Sequence, residues 1–444
     1  MPTAWWYSLG MGSFTSLLIR NGRRQAMVAA LLCGGAAMAA GQTENILHAF
    51  QAGSDGYFPE FYPVAVDSAG NVYGTTTYGG TGNCAFGLNT GCGTIYQLTP
   101  PGPTAPPGSP WTESIIWQFQ GGTDGGIPGG LIVRGGKLYG GAGVGGNGAC
   151  SGGCGYLFEL TPPSSAGGAW TKAPIYDFPT LESECGLTAF DKAGNYYGVG
   201  PSVNGNGTVC ELTPPGANEA SWNERTLYTF QGVARGQKFG DGSGPLGVTF
   251  DSLGNLWGAT ASGGYCQRFQ GGSCFGTIFE LVPAAEPASP WSETVAYRFT
   301  NGDQNPGSGV VIDKAGALYG ITYVEAYRFS GGALTVIDGF SDLPPNGYAP
   351  TGGVILDGAG NIYGTTAAGG QYGKGTVYKL TPPTYSQTIL HSFAAGMDGW
   401  NPQGPLTLGP QGALFGTTQI GGNDGCLQYE SGGSGCGTIF KVVP

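Results

Sequence analysis

Cysteines and carboxylates are the side chains in this sequence whose spacing could support chemistry. Of eleven cysteines, Cys33 lies in an apolar amino-terminal run and ten follow it. Cys84 and Cys92, Cys150 and Cys154, Cys266 and Cys274, and Cys426 and Cys436 form close pairs inside glycine-rich stretches, leaving Cys185 and Cys210. Thiols at such spacing can oxidise to loop disulfides or supply half of a zinc site. Cys150 and Cys154 would make the best half-site, but no histidine lies near them and the other spacings are not those of zinc. Five disulfides are therefore expected, Cys185–Cys210 by elimination, and no metal. Each loop bridge would contribute about 2–4 kcal/mol by shortening a floppy excursion.

The carboxylates fall into two sets. Asp67, Asp191, Asp251, Asp313 and Asp357 precede glycine-containing tight turns, which an Asp side chain holds by accepting backbone N–H groups. Asp55, Asp124, Asp241, Asp303 and Asp398 form the second set, mostly as Asp-Gly. Turn chemistry is the simpler reading for Asp-Gly, and the acidic spacing of an EF-hand loop is absent. Close to this set stand Tyr57, Phe58, Tyr78, Tyr265 and Trp400, and aromatics beside carboxylates suit sugar stacking with hydroxyl hydrogen bonds. His48 and His391 both occupy a Leu-His-x-Phe slot that elsewhere holds Trp117, Tyr176, Tyr228 and Tyr297. A slot that accepts large aromatics is a packing position, and no nucleophile elbow with a partner histidine can be assembled.

A repeat positions these residues. Ala359-Gly360-Asn361-Ile362-Tyr363-Gly364-Thr365-Thr366 recurs closely at 69–76, 193–198 and 253–260, and loosely around Tyr139-Gly140, Tyr319-Gly320 and Phe415-Gly416. The seven aromatics are 66, 58, 60, 62, 44 and 52 residues apart, a period that suits a propeller blade better than a short helical repeat. Each copy divides into four strand-like runs, in the first 63–67, 72–76, 93–98 and 114–119. The run 45–50 reads as a fourth strand ahead of the first repeat, and the last repeat stops after a third strand. Pairing the two would satisfy both free edges.

The expected fold is all-β: a seven-bladed β-propeller of four-stranded antiparallel blades, closed by pairing the N-terminal strand with the last blade. Gly360 and Asn361 would make the first turn, Tyr363 would pack between sheets, and Gly364 would admit a neighbouring strand. In such a ring, crossings between blades share a face with the loops joining second and third strands. The disulfide loops would then gather with Asp55, Tyr57, Tyr78, Asp124, Asp241, Tyr265, Asp303, Asp398 and Trp400, which are the candidate ligand-binding residues.

The combination Leu-His-x-Phe, Asp-Gly, Gly-Asn-aromatic-Gly-Thr-Thr, Gly-Gly and Gly-Thr-[Val/Ile]-aromatic is most complete between Asn361 and Gly399. It resembles the bacterial Gloeobacter/Verrucomicrobia tandem repeat, and the likeness extends over residues 42–444. The resemblance implies an extracellular or surface-exported propeller without an assigned enzymatic activity. Such proteins often carry a carboxy-terminal anchor, and none is expected here.

Glycine makes up 88 of 444 residues and only 10% are charged, yet 12% are aromatic, which argues for short strands and tight turns rather than disorder. Residues 1–40 read as a signal peptide, with Arg20, Arg23 and Arg24 before the apolar run 26–40 and a small-residue site at Ala37-Met38-Ala39. That run is short for a membrane span. One propeller domain is expected over 41–444. Removing the first 39 residues, which carry three Arg and no acid, moves the formal charge from -11 to -14. Sparse Lys and Arg on an acidic surface argue against nucleic acid and anionic membrane as partners. The chain is thus expected to be a monomer without cofactor, secreted or held in the periplasm or at the cell surface. Its expected role is a non-enzymatic binding scaffold using the disulfide-braced face, with a glycan or an extracellular protein as ligand. The alternative is a carbohydrate-active lyase or hydrolase with carboxylates on that face, about 5–9.5 Å apart for a glycosidase.

Overall fold

β-Branched and aromatic residues fill the third runs of the repeat, as in the Thr-Val-Tyr-Lys-Leu-Thr of Thr376–Thr381, where only the Lys and the last Thr are not buried. Such strands can only be the middle of a sheet with neighbours on both sides. The computed structural model describes residues 43–59, 62–86, 89–106, 108–165, 167–181, 184–216, 221–266, 274–286, 289–300, 305–423, 425–426 and 434–444. Seven four-stranded antiparallel sheets follow one another along the chain. Blade one is Ala65–Val66, Val72–Thr76, Thr94–Thr99 and Thr112–Gln118. Blades two to six lie within residues 126–177, 186–229, 243–298, 311–339 and 354–392. Blade seven is Thr407–Leu408, Leu414–Thr418 and Thr438–Val443, and its fourth strand is Thr43–Ala49 from the other end of the chain. The expected seven-bladed propeller and its closure are both present.

The closing strand repeats the detail of the others. Fourth strands pair with third strands through a register shift at one position, between Ile95 and Tyr96, Leu157 and Phe158, Val377 and Tyr378, and likewise elsewhere. Thr43–Ala49 has the same shift between Ile46 and His48. A bulge increases local twist, which each blade needs to splay outward from the ring centre. The Phe that ends each fourth-strand motif leaves the strand and is buried. Phe50, Phe119, Phe178, Phe230, Phe299 and Phe393 donate their N–H to the glycine ahead of the third strand at 3.0–3.1 Å.

The glycine after the recurrent aromatic has a specific reason. Gly74, Gly140, Gly258, Gly320, Gly364 and Gly416 each pair across the sheet with an aromatic of the third strand: Tyr96, Phe158, Phe279, Tyr327, Tyr378 and Phe440. A Cβ on Gly364 would run into Tyr378 Oη, lie 2.7 Å from its Cζ and 3.0 Å from Gly353 O. What approaches Gly364 most closely is thus a ring within its own blade, with the first-strand backbone behind it. Blade three is the exception, since Gly198 pairs with Cys210 and a Cβ there would lie 2.9 Å from Cys185 Sγ. The Cys185–Cys210 disulfide fills the space that a ring fills in the other blades.

In five of the seven repeats the first tight turn is held by an Asp: Asp67, Asp191, Asp251, Asp313 or Asp357. Asp357 Oδ1 accepts from the N–H groups of Ala359 and Asn361 at 2.9 Å, and its Oδ2 from Asn361 Nδ2 and Tyr363 OH at 2.7 and 3.0 Å. Asp67 repeats all four bonds, and Trp257 Nε1 takes the tyrosine's place at Asp251. Burial works to raise the Asp357 pKa, but these donors outweigh it and leave the carboxyl below its usual range. Apolar packing runs between blades. Tyr363 and Val377 of blade six meet Leu406, Leu414 and Phe440 of blade seven in one cluster. Among the described residues no helix is long and apolar enough to cross a membrane.

Candidate functional site

The crossings from blade to blade lie beside the loops that follow the second strands. Tyr57 and Tyr78 exchange backbone hydrogen bonds of 3.1 and 3.3 Å, Trp400 and Ile420 bonds of 2.8 and 3.1 Å, and Phe239 bridges to Tyr265. All five disulfides have the expected partners: Cys84–Cys92, Cys150–Cys154, Cys185–Cys210, Cys266–Cys274 and Cys426–Cys436. Four of them brace loops on this face.

The candidate ligand-binding residues are distributed from crossing to crossing and do not converge. Asp303 lies outside the described residues. Asp55, Asp124 and Asp398 each end a short 3-10 turn, Gly53–Asp55, Gly122–Asp124 and Gly396–Asp398. Their Oδ2 atoms accept the N–H of Gln51, Gln120 and Ala394 at 2.7, 2.7 and 2.6 Å. Asp241 is held by the N–H groups of Gln231 and Gly232 and by Tyr228 OH at 2.8 Å. Tyr57 and Tyr78 are buried, and Tyr57 OH donates to Thr90 O at 3.1 Å. Lys374 Nζ stands 3.4 Å above the Trp400 ring and covers that face.

Tyr265 differs, because its neighbour Phe239 is 57% exposed. The two rings are 5.7 Å apart, Phe275 stacks on Tyr265 at 6.1 Å, and Lys238 Nζ lies 4.9 Å from the Tyr265 ring. Beside this platform is an open cavity of about 400 Å³ between the loops of blades three and four. Asn206, Arg235, Gln237, Ser243 and Ser262 line it, and the Cys266–Cys274 bridge forms part of its wall. Hydrogen-bonding side chains next to an exposed ring can hold a polar ligand with one apolar face. Phe239 and Asn206 escaped the sequence reading because neither belongs to the repeat.

The carboxylates that do converge lie at the seams between fourth strands. His48 Nε2 lies 3.2 Å from Asp55 Oδ1 and 3.6 Å from Glu113 Oε1. One seam back, His391 Nε2 lies 3.0 Å from Asp398 Oδ1, with Glu44 beside them. Among the described residues these two trios are the groups of three or more His, Cys, Asp or Glu whose donor atoms could share one metal ion, all lying within 4.8 Å of one another. That separation is shorter than the roughly 5–9.5 Å between the carboxyl groups of a glycosidase. Each imidazole also packs edge-on against the phenylalanine two residues on, at 4.8 Å for Phe50 and 4.7 Å for Phe393. Tyr176, Tyr228 and Tyr297 make the same pair in their slots, so the packing role expected for the histidines is real but incomplete.

Burial pushes Glu44 and Glu113 up to about 7, against the pull of the facing imidazole. Burial works to lower the His48 pKa, but its hydrogen bond to Asp55 and the charges of Glu113 and Asp55 outweigh that, and it ends above the ordinary value. The glutamates were missed, although a signal existed. Trp111-Thr112-Glu113, Trp222-Asn223-Glu224 and Trp291-Ser292-Glu293 repeat one pattern, with Trp170-Thr171-Lys172 as its variant. Glu44, Glu113, Lys172, Glu224 and Glu293 all sit at one register position, opposite Val442, Leu98, Leu160, Leu212 and Leu281.

No curated protein sequence matches the chain. In structure it is similar to PorZ, a surface component of the type-IX secretion system of Porphyromonas gingivalis, at 15% identity and a TM-score of 0.45, over 84% of this chain and 48% of that one. It is similar to the extracellular domain of BT4673 from B. thetaiotaomicron at 8% identity and a TM-score of 0.48, over 89% and 39%. It is also similar to an aldose sugar dehydrogenase of Streptomyces coelicolor at 11% identity and a TM-score of 0.39, over 91% and 99%. The chain thus spans about half the length of PorZ. Residues 325–444 match the Gloeobacter/Verrucomicrobia repeat, a narrower span than the one over which the motif recurs. The chain is a seven-bladed β-propeller whose residues 325–444, reaching from within the fifth blade to the seventh, carry the match to the Gloeobacter/Verrucomicrobia repeat.

Proposed function

We propose that this chain is an exported, non-enzymatic propeller that works as a binding scaffold through its disulfide-braced face, with a glycan as the preferred ligand class and an extracellular protein as the next. The observation that carries the reading is the exposed Phe239 on Tyr265 beside a cavity lined by Asn206, Ser243 and Ser262. A pyranose presents an apolar ring face and a rim of hydroxyls, which is the combination these groups accommodate. Five disulfides suit an oxidising compartment, in keeping with a cleaved leader over 1–40 and a single domain over 41–444. The acidic charge supports a partner other than nucleic acid, and the chain is taken to act as a monomer.

A glycan array probed with the oxidised protein, together with a pull-down from culture supernatant, tests the proposal. Phe239→Ala is expected to weaken a glycan hit about tenfold, by the roughly 1.4 kcal/mol an aromatic stacking contact contributes. Blank results from both assays, or a glycan hit indifferent to Phe239→Ala and Asn206→Ala, would remove the basis for this site.

A further inference from the structure

Three of the seams between fourth strands, at Asp55, Asp124 and Asp398, follow one design with different occupants. In each, an Asp anchored by the backbone N–H four residues before it meets a residue from the fourth strand of the next blade. At Asp124 that residue is Lys172, whose ammonium lies 2.5 Å from Asp124 Oδ1 and 2.6 Å from Tyr156 OH. Its side chain is only 6% exposed, so this seam has a cation of its own. At Asp55 and Asp398 the same register position holds Glu113 and Glu44, and the blade's own slot holds His48 and His391. Those seams contain two carboxylates and one imidazole where the Lys172 seam contains one carboxylate and one ammonium. Glu113 Oε1 and Glu44 Oε1 are both buried and accept no hydrogen bond.

From this we infer that His48–Asp55–Glu113 and Glu44–His391–Asp398 are twin binding sites for a divalent cation of the zinc type, set on either side of the strand that closes the ring. One imidazole nitrogen with two carboxylate oxygens is a donor set for zinc and its transition-metal neighbours, whereas Ca²⁺ prefers six or more oxygens. Tetrahedral coordination at about 2.0–2.1 Å places donor atoms about 3.3 Å apart. The separations of 3.2 and 3.6 Å around His48 and 3.0 Å between His391 and Asp398 bracket that value, while Glu44 stands farther off, within 4.8 Å, and would have to close on the ion. The donors are also oriented in advance. Each Asp has one oxygen held by a backbone N–H and the other turned to the imidazole, and each ring is fixed edge-on by a phenylalanine. Water would take the remaining position. The expectation of no metal rested on cysteine spacings and on reading Asp-Gly at the crossings as turn chemistry without EF-hand spacing, and it took no account of Glu44 and Glu113.

Placement gives the sites a consequence. Glu44 and His48 both belong to Thr43–Ala49, so one short strand contributes a ligand to each site. A cation on either side would tie the closing strand to blade six through His391 and Asp398, and to blade one through Glu113.

Zn²⁺ alone is the probe. The oxidised protein is treated with EDTA, dialysed against Zn²⁺, and analysed by titration calorimetry and elemental analysis. Two equivalents per chain are expected, falling to one in H391Q and to none in H48Q/H391Q, with circular dichroism confirming the fold. E113K, which copies the Lys172 seam, is expected to lose one equivalent while remaining folded without metal, and provides the test if the histidine variants do not fold. In wild type, amide exchange of 44–49 is expected to slow at least tenfold on Zn²⁺ addition. Retention of one equivalent or none by wild type would overturn the inference, as would undiminished stoichiometry in H48Q/H391Q or E113K, or equal retention of Ca²⁺.

Discussion

Replacement of Gly364 by alanine tests why the repeat keeps a glycine after its aromatic. The added Cβ would collide with Tyr378 Oη, lie 2.7 Å from Cζ, and lie 3.0 Å from the carbonyl oxygen of Gly353. Tyr378 is fully buried, so its ring cannot swing into solvent. Overpacking of this kind costs about 1–3 kcal/mol, and a ring wedged against backbone belongs near the upper end. Alanine recovers about 0.4–1 kcal/mol by restricting the unfolded chain, which leaves a net loss of about 2 kcal/mol. With about 2.1 cal/mol/K of unfolding entropy per residue over some 400 residues, Tm should fall by about 2–3 °C. Gly358→Ala is the matched control, because nothing lies within 4 Å of its added Cβ, and Tm should hold or rise slightly. Tyr378→Phe removes a hydroxyl that is buried without a partner, so alone it should be neutral or mildly stabilising. Combined with Gly364→Ala it should return part of the loss, about 1 kcal/mol, because the contact with Oη is removed while Cζ still lies 2.7 Å from the added Cβ. Calorimetry of the oxidised proteins measures all four corners of this cycle. Equal Tm for Gly364→Ala and Gly358→Ala, or strict additivity in the double variant, would refute the steric account.

Three further outcomes follow from the same geometry. Removing Cys185–Cys210 by paired serine substitutions should destabilise more than removing Cys150–Cys154. Sequence separations of 25 and 4 differ by about 1.6 kcal/mol in loop-closure entropy alone, and the first bridge is also buried in the core; urea unfolding of the two variants gives the comparison. Lys172→Met should cost about 3 kcal/mol, because it leaves the partly buried Asp124 uncompensated, and Lys172→Met/Asp124→Asn should recover part of that loss in the same assay. Burial first, and then the charge of Asp241, push Glu293 up from 4.5 to about 7. The folded state therefore holds this proton more tightly than the unfolded chain does. Its contribution to stability is complete below about pH 4.5 and disappears as pH rises through 7, so Tm measured across that range should decline less steeply for Glu293→Gln than for wild type.

Legibility was uneven for local reasons. The turn at Asp357 could be read from Asp, Gly and Asn in a row because its four hydrogen bonds join residues at most six apart. The strand edges were off by a residue or two at the fourth strands, where the terminal Phe leaves the sheet to pack inside; composition alone does not separate a buried strand residue from a buried residue just beyond it. Trp400 and Tyr57 looked like free aromatics on a loop face. Lys374 covers one and burial claims the other, while Phe239, outside the repeat, is left exposed.

Repetition let the sequence alone determine the number of blades, the closure between Thr43–Ala49 and the last blade, and four loop disulfides. Blade number and loop bridges depend on contacts inside one repeat unit, and the closure was legible because Thr43–Ala49 carries the fourth-strand motif of the other copies. The seams were decided by tertiary structure. His48 and Glu113 are far apart in sequence and in different blades, and they meet only because successive sheets stack face to face around the ring. Whether such a seam holds Lys172 against one carboxylate, or an imidazole between two, depends on a pairing between units that no single repeat contains.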